Sequence, residues 1–473
     1  MTRRSVSSRV ARHSSDTFWP HRAISALEIR SLKRTITRAV KLDEWRMWQL
    51  SKSLTKLRAK AACAFMGHPA RSLKVIGVTG TSGKTTTSEL IAALLSASGR
   101  RVSSINSIGA CIAGLRLEST WQLTTPGPFV IQGLLHWMKR RGSEWVIIEA
   151  SSHGLTQSRL GGIAFHAAVV TNLTPDHLDY HRDMDSYAAA KALLIHHTVG
   201  RPREKGAVVL NRDDPGYSRF AALAPALHVT YGLSPAAHIR AAFVDLSDQG
   251  SSFDVATPGG QFRVELRLPA LFNVYNALAA VAFGCSQGLD PAVMAEGLKS
   301  ARQVVGRMSP ISEGQPYSVV IDYATTPHQL EQVLRFYRPR VTGKIILVFG
   351  CGGDRDRSKR SPMGEIAGLL ADRVVVTRDN DRCESIHTIS HAIAEGLQRA
   401  GKGEGMDYVI LPDRREAIQH ACDMAETGDL VLITGKGDEQ SINIEGREAP
   451  WDEEGAAREA IRKSMRSHPE GLL

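Results

Sequence analysis

Leu73-Lys74-Val75-Ile76-Gly77-Val78-Thr79-Gly80-Thr81-Ser82-Gly83-Lys84-Thr85-Thr86-Thr87 is an apolar run that breaks into a glycine-rich loop and then into residues opening a helix near Thr85. The pattern predicts a strand over Lys74–Val78 and a helix over Thr86–Ser98. Such a loop aims backbone N–H groups, one lysine and the positive end of a helix at a single spot, which suits a polyphosphate. Gly80, Thr81, Ser82, Gly83, Lys84, Thr85 and Thr86 are therefore candidate nucleotide-binding residues. Lys84 would reach the β- and γ-phosphates, and the Thr85 hydroxyl would ligate Mg²⁺. The strict G-x-x-x-x-G-K-[ST] spacing fails by one residue, because Val78 rather than a glycine lies five before Gly83. A Gly/Thr-rich turn without a ligand is the plain alternative, and the strand–loop–helix context argues against it.

Outward from this loop, strands alternate with helices. Strands are expected at Trp145–Ile148, Ala167–Val170 and Ala207–Leu210, and a helix at Val274–Ser286. From about Arg307 a second series follows, with strands Ser318–Ile321, Ile345–Phe349, Val374–Thr377, Tyr408–Leu411 and Leu430–Thr434. Helices His328–Phe336, Gly364–Ala371, Ile386–Arg399 and Arg414–Ala425 separate them. The fold class expected is α/β: a central P-loop domain with a mostly parallel sheet over 71–304, and a Rossmann-like domain over 305–473. Ligands of such sheets lie beyond the C-terminal ends of the strands, where most of the polar motifs fall. Residues 1–70 read as a short basic segment, helical over 22–65 with apolar spacing at Leu42, Trp45, Trp48, Leu50, Leu54 and Leu57.

At 473 residues the chain is too long for one ordinary core. No apolar run approaches the roughly 20 residues that span a bilayer, so no membrane role is expected. The cysteines (Cys63, Cys111, Cys285, Cys351, Cys383, Cys422) are scattered without a C-x-x-C pair. That points to reduced thiols in a cytoplasm and away from a zinc ribbon or a disulfide framework. The net charge of +11 is partly local, since residues 1–41 carry ten Arg and Lys against Asp16 and Glu28. A solvated tail is the reading adopted there; a patch for an anionic partner and an organellar transit segment are the alternatives. The aromatics among these basic residues are confined to the adjacent pair Phe18-Trp19, with none spaced along the run to stack successive bases, so nucleic-acid binding is not expected.

Three further residues carry candidate chemistry. Glu149 ends the apolar strand Trp145–Ile148, as a Mg²⁺-ligating carboxylate near a P-loop would, although a capping or ion-paired Glu looks the same in sequence. His177 stands among Asp176, Asp179 and His181, a cluster that reads as a polar loop or a metal site. Lys191 lies in the small-residue helix Ala188–Ala192 and taken alone is a surface lysine.

Further motifs run in order along the chain. They are Thr124-Thr125-Pro126, Glu149-Ala150-Ser151-Ser152-His153-Gly154-Leu155 and Thr171-Asn172-Leu173-Thr174-Pro175-Asp176-His177-Leu178-Asp179-Tyr180-His181. Tyr187–Lys191, Phe272–Ala280, Gly306-Arg307-Met308, Gly350-Cys351-Gly352-Gly353-Asp354-Arg355-Asp356 and Gly435-Lys436-Gly437 follow. Together with the P-loop they resemble the Mur ligase family, over about residues 60–473. These are ATP-dependent enzymes that form amide bonds in peptidoglycan precursors. The likeness is to the branch that adds diaminopimelate or lysine to UDP-muramoyl-alanyl-glutamate.

The resemblance implies ATP with two Mg²⁺ sites built from Thr85, Glu149, His177 and Lys191, the last carried as a carbamate. It implies catalytic roles for Lys84, Glu149, His177, Lys191 and Arg307. Asn273 or Asn276 would contact adenine, Asp322 the ribose, and Arg307 the phosphates. The carboxylate substrate would meet Thr124, Thr125, Ser151, Gln157 and Arg159, the last as a bidentate clamp. The incoming amino acid would meet Arg355, Asp379, Asn380, Arg382, Gly435 and Glu439. The reaction implied has two steps: the carboxylate attacks the γ-phosphate, and the amine then attacks the acyl phosphate.

The chain departs from the family in places. No UDP-binding α/β domain is legible ahead of the P-loop. Leu123 replaces an Asn, Ser309 a Glu, Thr325 a His, Asp381 a Pro and Asp438 a His. Asp381 is expected to loosen its turn. The departures favour a specialised carboxylate–amine pair. The ordinary muramyl dipeptide with diaminopimelate is the alternative, and a non-catalytic or partner-dependent ATP-binding module is the alternative of another class. A small-molecule carboxylate and an amino acid are the expected partners, in a monomer or homodimer.

Overall fold

The computed structural model describes residues 26–43, 52–119, 121, 123–199, 206–224 and 228–467. The described residues open with α1 (Ala26–Asp43) and α2 (Lys52–Phe65). The expected helix over 22–65 is thus two described helices. Residues 22–25 and 44–51, with Trp45, Trp48 and Leu50, lie outside the described residues.

A first α/β unit follows: β1 (Lys74–Thr79), α3 (Lys84–Ala97), β2 (Val102–Asn106), β3 (Gly109–Ile112), β4 (Leu115–Glu118), α4 (Pro128–Arg140) and β5 (Trp145–Glu149). Next come α5 (Ser152–Thr156), β6 (Phe165–Val170), α6 (Leu178–His181), α7 (Met184–Val199), β7 (Ala207–Asn211), α8 (Tyr217–Ala221) and β8 (His228–Gly232). It closes with β9 (Ile239–Ser247), β10 (Gly250–Thr257), β11 (Gly260–Leu266), α9 (Leu271–Ser286) and α10 (Pro291–Lys299). Its strands make one sheet in the order β11-β10-β9-β8-β7-β6-β1-β5-β2-β3-β4.

β1 is hydrogen-bonded between β5 and β6, both parallel to it. Val75, Ile76 and Val78 are fully buried, so both faces of the strand are apolar, as a parallel sheet covered on both sides requires. α3, α9 and α10 cover one face; α1, α4 and α7 cover the other. The antiparallel meander β9-β10-β11 went unread in the sequence, although β10 alternates buried and half-buried positions with period two from Ser251 to Ala256.

The second unit holds β12 (Ser309–Ile311), β13 (Ser318–Asp322), α11 (Pro327–Tyr337), β14 (Ile345–Phe349), α12 (Arg360–Leu370) and β15 (Arg373–Val376). It continues with α13 (Ile386–Arg399), β16 (Tyr408–Ile410), α14 (Arg414–Met424), β17 (Leu430–Thr434), the hairpin β18 (Ser441–Ile444) and β19 (Arg447–Pro450), and α15 (Glu453–Ser467). Its sheet runs β12-β13-β17-β14-β15-β16, parallel except at the β12 edge.

The solvated-tail reading does not hold from Ala26 onward. Leu32, Ile36 and Ala39 form one buried stripe on α1. Burying a Leu or Ile stabilises by about 1.5–3 kcal/mol, enough to dock a helix whose other faces are basic. At its end Asp43, 5% exposed, caps α4. Its carboxylate accepts the N–H groups of Phe129 (3.4 Å) and Val130 (3.0 Å) and lies 3.4 Å from Arg58 Nη2. Gly127, the N-cap position, has no side chain to do this, and a Cβ there would lie 2.2 Å from Asp43 Cγ.

Candidate active site

Three neighbouring strands deliver their C-terminal ends to one corner: β1 leads into the P-loop, β5 ends at Glu149, and β6 leads into Thr171-Asn172. Glu149 Oε2 accepts the Thr85 hydroxyl at 3.1 Å and the Ser107 N–H at 3.0 Å. Thr85 Oγ1 is also 3.0 Å from Ser107 Oγ. Lys84 Nζ donates to Thr81 O at 2.9 Å and lies 4.0 Å from Glu149 Oε1. Burial lowers the Lys84 ammonium from its ordinary range, with Glu149 opposing the shift. Asn172 Oδ1 accepts the N–H groups of Thr81 and Ser82 and sets the loop's curvature.

The loop closes against its neighbours without room for side chains at its glycines. Gly80 has φ +148°, and a Cβ there would lie 1.8 Å from Thr171 Oγ1. Gly83 has φ +78°, and its Cβ would lie 2.2 Å from Asn276 Oδ1. Asn276 Nδ2 donates to Asn273 Oδ1, and Asn273 Nδ2 donates to Pro269 O at 2.7 Å. The glycine cradle at a helix N-terminus fits a polyphosphate, and the oxygen donors Thr85 and Glu149 fit Mg²⁺.

Lys191 is 1% exposed and donates to Gly80 O at 2.7 Å, so α7 places it directly behind the P-loop. It is not a surface lysine. Burial, with Lys84 nearby, holds its ammonium well below the ordinary lysine range. His177, at φ +57°, sits 3.4 Å from Asp176. Its imidazole is held below its usual range by burial and by Lys191, Lys359, Lys84 and Arg355. His153, not singled out in sequence, packs edge-on against His177 with ring centroids 4.8 Å apart.

Arg307 lies with its guanidinium 4.0 Å above the Tyr323 ring and 3.5 Å from Asp438 Oδ1. Asp322 accepts the N–H groups of Met308 and Ala324, both at 2.8 Å. Ser309 Oγ, where the family has Glu, accepts the Gly306 N–H at 2.9 Å and tightens the same turn.

A cavity of about 920 Å³ opens between the two sheets, with Val40 and Asp43 of α1 in its wall. Of the predicted substrate residues, Thr124 borders it on one side, and Arg355, Asn380, Arg382 and Glu439 on the other. Ser107, Tyr323 and Asp438 line it too. Thr125, Ser151, Gln157, Arg159, Asp379 and Gly435 are not in the wall. Arg159, expected as a carboxylate clamp, is engaged by groups of the chain itself. Its Nη1 donates to Thr125 O, its Nε and Nη2 to Gln157 Oε1, and it is 2% exposed. Its fork holds the Thr125 turn, whose hydroxyl accepts the Ser151 N–H at 2.9 Å.

Across the cavity, Asn380 Nδ2 donates to Glu439 Oε2 at 2.9 Å, and Tyr323 donates to Glu439 Oε1 at 3.2 Å. Fully buried Lys436 donates to Asn380 Oδ1 at 3.0 Å and to Glu439, and lies 3.9 Å from Asp379. Asp381 does not loosen its turn. It is 2% exposed and accepts the Glu445 N–H at 3.1 Å, tying the loop to the β18–β19 hairpin. Arg382 Nη1 donates to Gly353 O at 2.7 Å. Ser107 and Tyr323 gave no signal in sequence because only the fold brings their loops to the cavity.

Residues 78–284 match the Mur ligase middle domain, and residues 306–437 match the Mur ligase glutamate ligase domain. The UDP-N-acetylmuramoyl-L-alanyl-D-glutamate–2,6-diaminopimelate ligase of Syntrophomonas wolfei is 37% identical over 408 residues, covering 86% of this chain and 82% of that protein. Its counterpart in Geobacter metallireducens is 41% identical, covering 80% and 77%. A solved structure of such a diaminopimelate ligase aligns at TM-score 0.57 and 33% identity, covering 86% and 83%. Mycobacterium tuberculosis folylpolyglutamate synthase, 18% identical, shares the fold at TM-score 0.70, covering 91% of this chain and 99% of that one. Two matched regions spanning more than half the chain, and relatives of this identity, mean that the chain belongs to the Mur ligase family, ATP-dependent ADP-forming ligases that make amide bonds.

Proposed function

We propose that this ligase joins a specialised carboxylate substrate to an amino acid whose side chain ends in a carboxylate, as a cytoplasmic enzyme. The observation that carries the reading is the single cavity bordered by Thr124 on one side and by Asn380, Arg382 and Glu439 on the other, with Ser107 linking it to Glu149 and Thr85. An acid and an amine held there would meet beside the γ-phosphate end of a nucleotide in the P-loop. Positioning supplies much of the rate in such a reaction, and exclusion of water protects the acyl phosphate.

Mg²⁺, held by Thr85 and Glu149, would neutralise charge on the transferring phosphoryl group, and His177 with Lys191 would hold a second ion. On the amine side, Arg355 makes no hydrogen bond or ion pair among the described residues, and Arg382 keeps donors free; both suit a carboxylate. On the acid side, Asp43 of α1 stands in the cavity wall and accepts the N–H groups that open α4. The diaminopimelate ligases among the relatives favour the second reading, addition of diaminopimelate to UDP-muramoyl-alanyl-glutamate.

The test is phosphate release from ATP·Mg²⁺ with UDP-muramoyl-alanyl-glutamate and simple dipeptide carboxylates, each against a panel of amino acids, with products identified by mass spectrometry. Turnover confined to simpler acids is expected. Turnover with the UDP-dipeptide and diaminopimelate would establish the second reading instead.

Lys191 carries a carbamate in this reading. A buried neutral amine is the form that adds CO₂, and the product is an anion suited to a metal site. A carbamate carbon signal after incubation with ¹³C-bicarbonate is expected in the wild type and not in Lys191→Arg. An identical spectrum for the two proteins would remove the carbamate from the reading.

A further inference from the structure

His177 stands in the left-handed backbone region, at φ +57° and ψ +30°, which is uncommon outside glycine. Such a conformation persists only where its surroundings fix it. The peptide plane that leaves His177 is fixed at both ends. Its C=O accepts the N–H groups of Tyr180 at 3.1 Å and His181 at 3.0 Å, within the turn of α6. Its N–H belongs to Leu178, the first residue of α6, and His177 as the N-cap residue makes no side-chain cap bond. The acceptor for that N–H comes from the second unit. Asp356 Oδ2 takes it at 3.3 Å, across 178 positions of sequence.

We infer that Asp356 is a positioning residue for His177: from the C-terminal unit it sets the backbone of the loop from which this imidazole reaches a metal ion. The inference rests on the ligase reading above, in which His177 and Lys191 hold that ion. Asp356 is 7% exposed, and its two oxygens are divided between two loops. Oδ1 accepts the Ser358 N–H at 2.9 Å and the Ser358 hydroxyl, which fixes the carboxylate on its own loop and leaves Oδ2 for Leu178. That loop is anchored in turn. Arg360, 1% exposed, donates to the two oxygens of Glu384 at 2.8 and 2.7 Å and to Gly352 O at 3.2 Å. A hydrogen bond from a mobile carboxylate would fix nothing; this one comes from a rigid base.

The same two loops are close at other points. Arg355 lies within the field of Asp179 and Asp176, and Arg355 and Lys359 lie within that of His177. Arg355 also borders the amine side of the cavity, so its neighbour Asp356 ties the amino-acid end of the site to the metal end. Groups that orient a metal ligand from behind typically govern metal affinity by about 10–100-fold.

The test compares wild type with Asp356→Ala, Ser358→Ala, His177→Ala and the double variant Asp356→Ala with His177→Ala. Hydrogen exchange at the Leu178 amide is followed first, on the purified protein and again with ATP·Mg²⁺. Asp356→Ala is expected to speed it about tenfold or more, while protection elsewhere in both units stays as in wild type. Ser358→Ala should exchange as wild type does, because the backbone N–H of that residue still holds Oδ1. The Mg²⁺ concentration for half-maximal turnover is followed next, with ATP and the acid and amino acid that support turnover. In Asp356→Ala it should rise about tenfold or more, with KM for the amino acid within about threefold of wild type. In the His177→Ala background the Asp356 change should add nothing, since the residue it acts through is gone. Equal Leu178 exchange in wild type and Asp356→Ala would overturn the inference. So would a loss that adds in full to that of His177→Ala, or an equal loss from Ser358→Ala, which would make Asp356 a brace of its own loop. A wild type that turns over no acid would remove the ligase reading, and the exchange result by itself would then decide whether Asp356 holds the loop.

Discussion

Lys84→Ala is expected to lower ATP-dependent turnover by about 10²–10³-fold or more, with little change in thermal stability. The Lys84 ammonium is the positive charge built into the loop itself, curled back onto Thr81 O at 2.9 Å and lying 4.0 Å from Glu149. Phosphoryl transfer spreads negative charge over the phosphate oxygens, and a fixed cation that need not reorganise stabilises it more than water can. Glu149 is not abandoned by the change, because Thr85 and Ser107 still donate to it. Lys84 itself pays for burial with a lowered ammonium pKa, so its loss should not cost the fold. Phosphate release against melting temperature separates the two effects. Turnover within tenfold of wild type would mean that the loop does not bind the transferred phosphate as argued.

Glu453→Ala should destabilise the C-terminal unit by about 3–5 kcal/mol, read as a shift of its urea transition, because it strands a buried charge. Arg414 and Glu453 are 0% and 1% exposed at the side chain and form a bidentate pair, Nε to Oε2 at 3.0 Å and Nη2 to Oε1. Arg414 also donates to Arg378 O at 3.0 Å and Thr434 O at 2.9 Å. Arg378 lies just past β15 and Thr434 ends β17, each directly before Asp379 or Gly435, so the variant should also raise KM for the amino acid more than KM for ATP. The double change Arg414→Met with Glu453→Leu should recover most of the stability, since two apolar side chains carry no desolvation cost. A single variant as stable as wild type would mean that solvent reaches Arg414.

Much was legible from local pattern. The P-loop, the strand ending at Glu149 and the α/β alternation depend on residues close in sequence, where periodicity and glycine placement speak directly. Lys191 read alone as a surface residue, because nothing in an alanine-rich helix tells which face packs on a loop 111 positions away. Arg159 read as a clamp because its chemistry suits one, but its partners, Gln157 Oε1 and Thr125 O, depend on how the Thr125 turn folds. Asp381 looked loosening by composition, and becomes a tie only because the β18–β19 hairpin brings the Glu445 N–H to it.

The sequence by itself determined the alternation of the main strands and helices, the nucleotide loop and the family, since each rests on residue type and spacing along one chain. The tertiary structure decided which polar side chains face the cavity and which brace it, and that α1 and Asp43 form part of its wall. The physical reason is that a hydrogen bond or an ion pair is settled by distance and burial between residues far apart in sequence, and neither is written in local order.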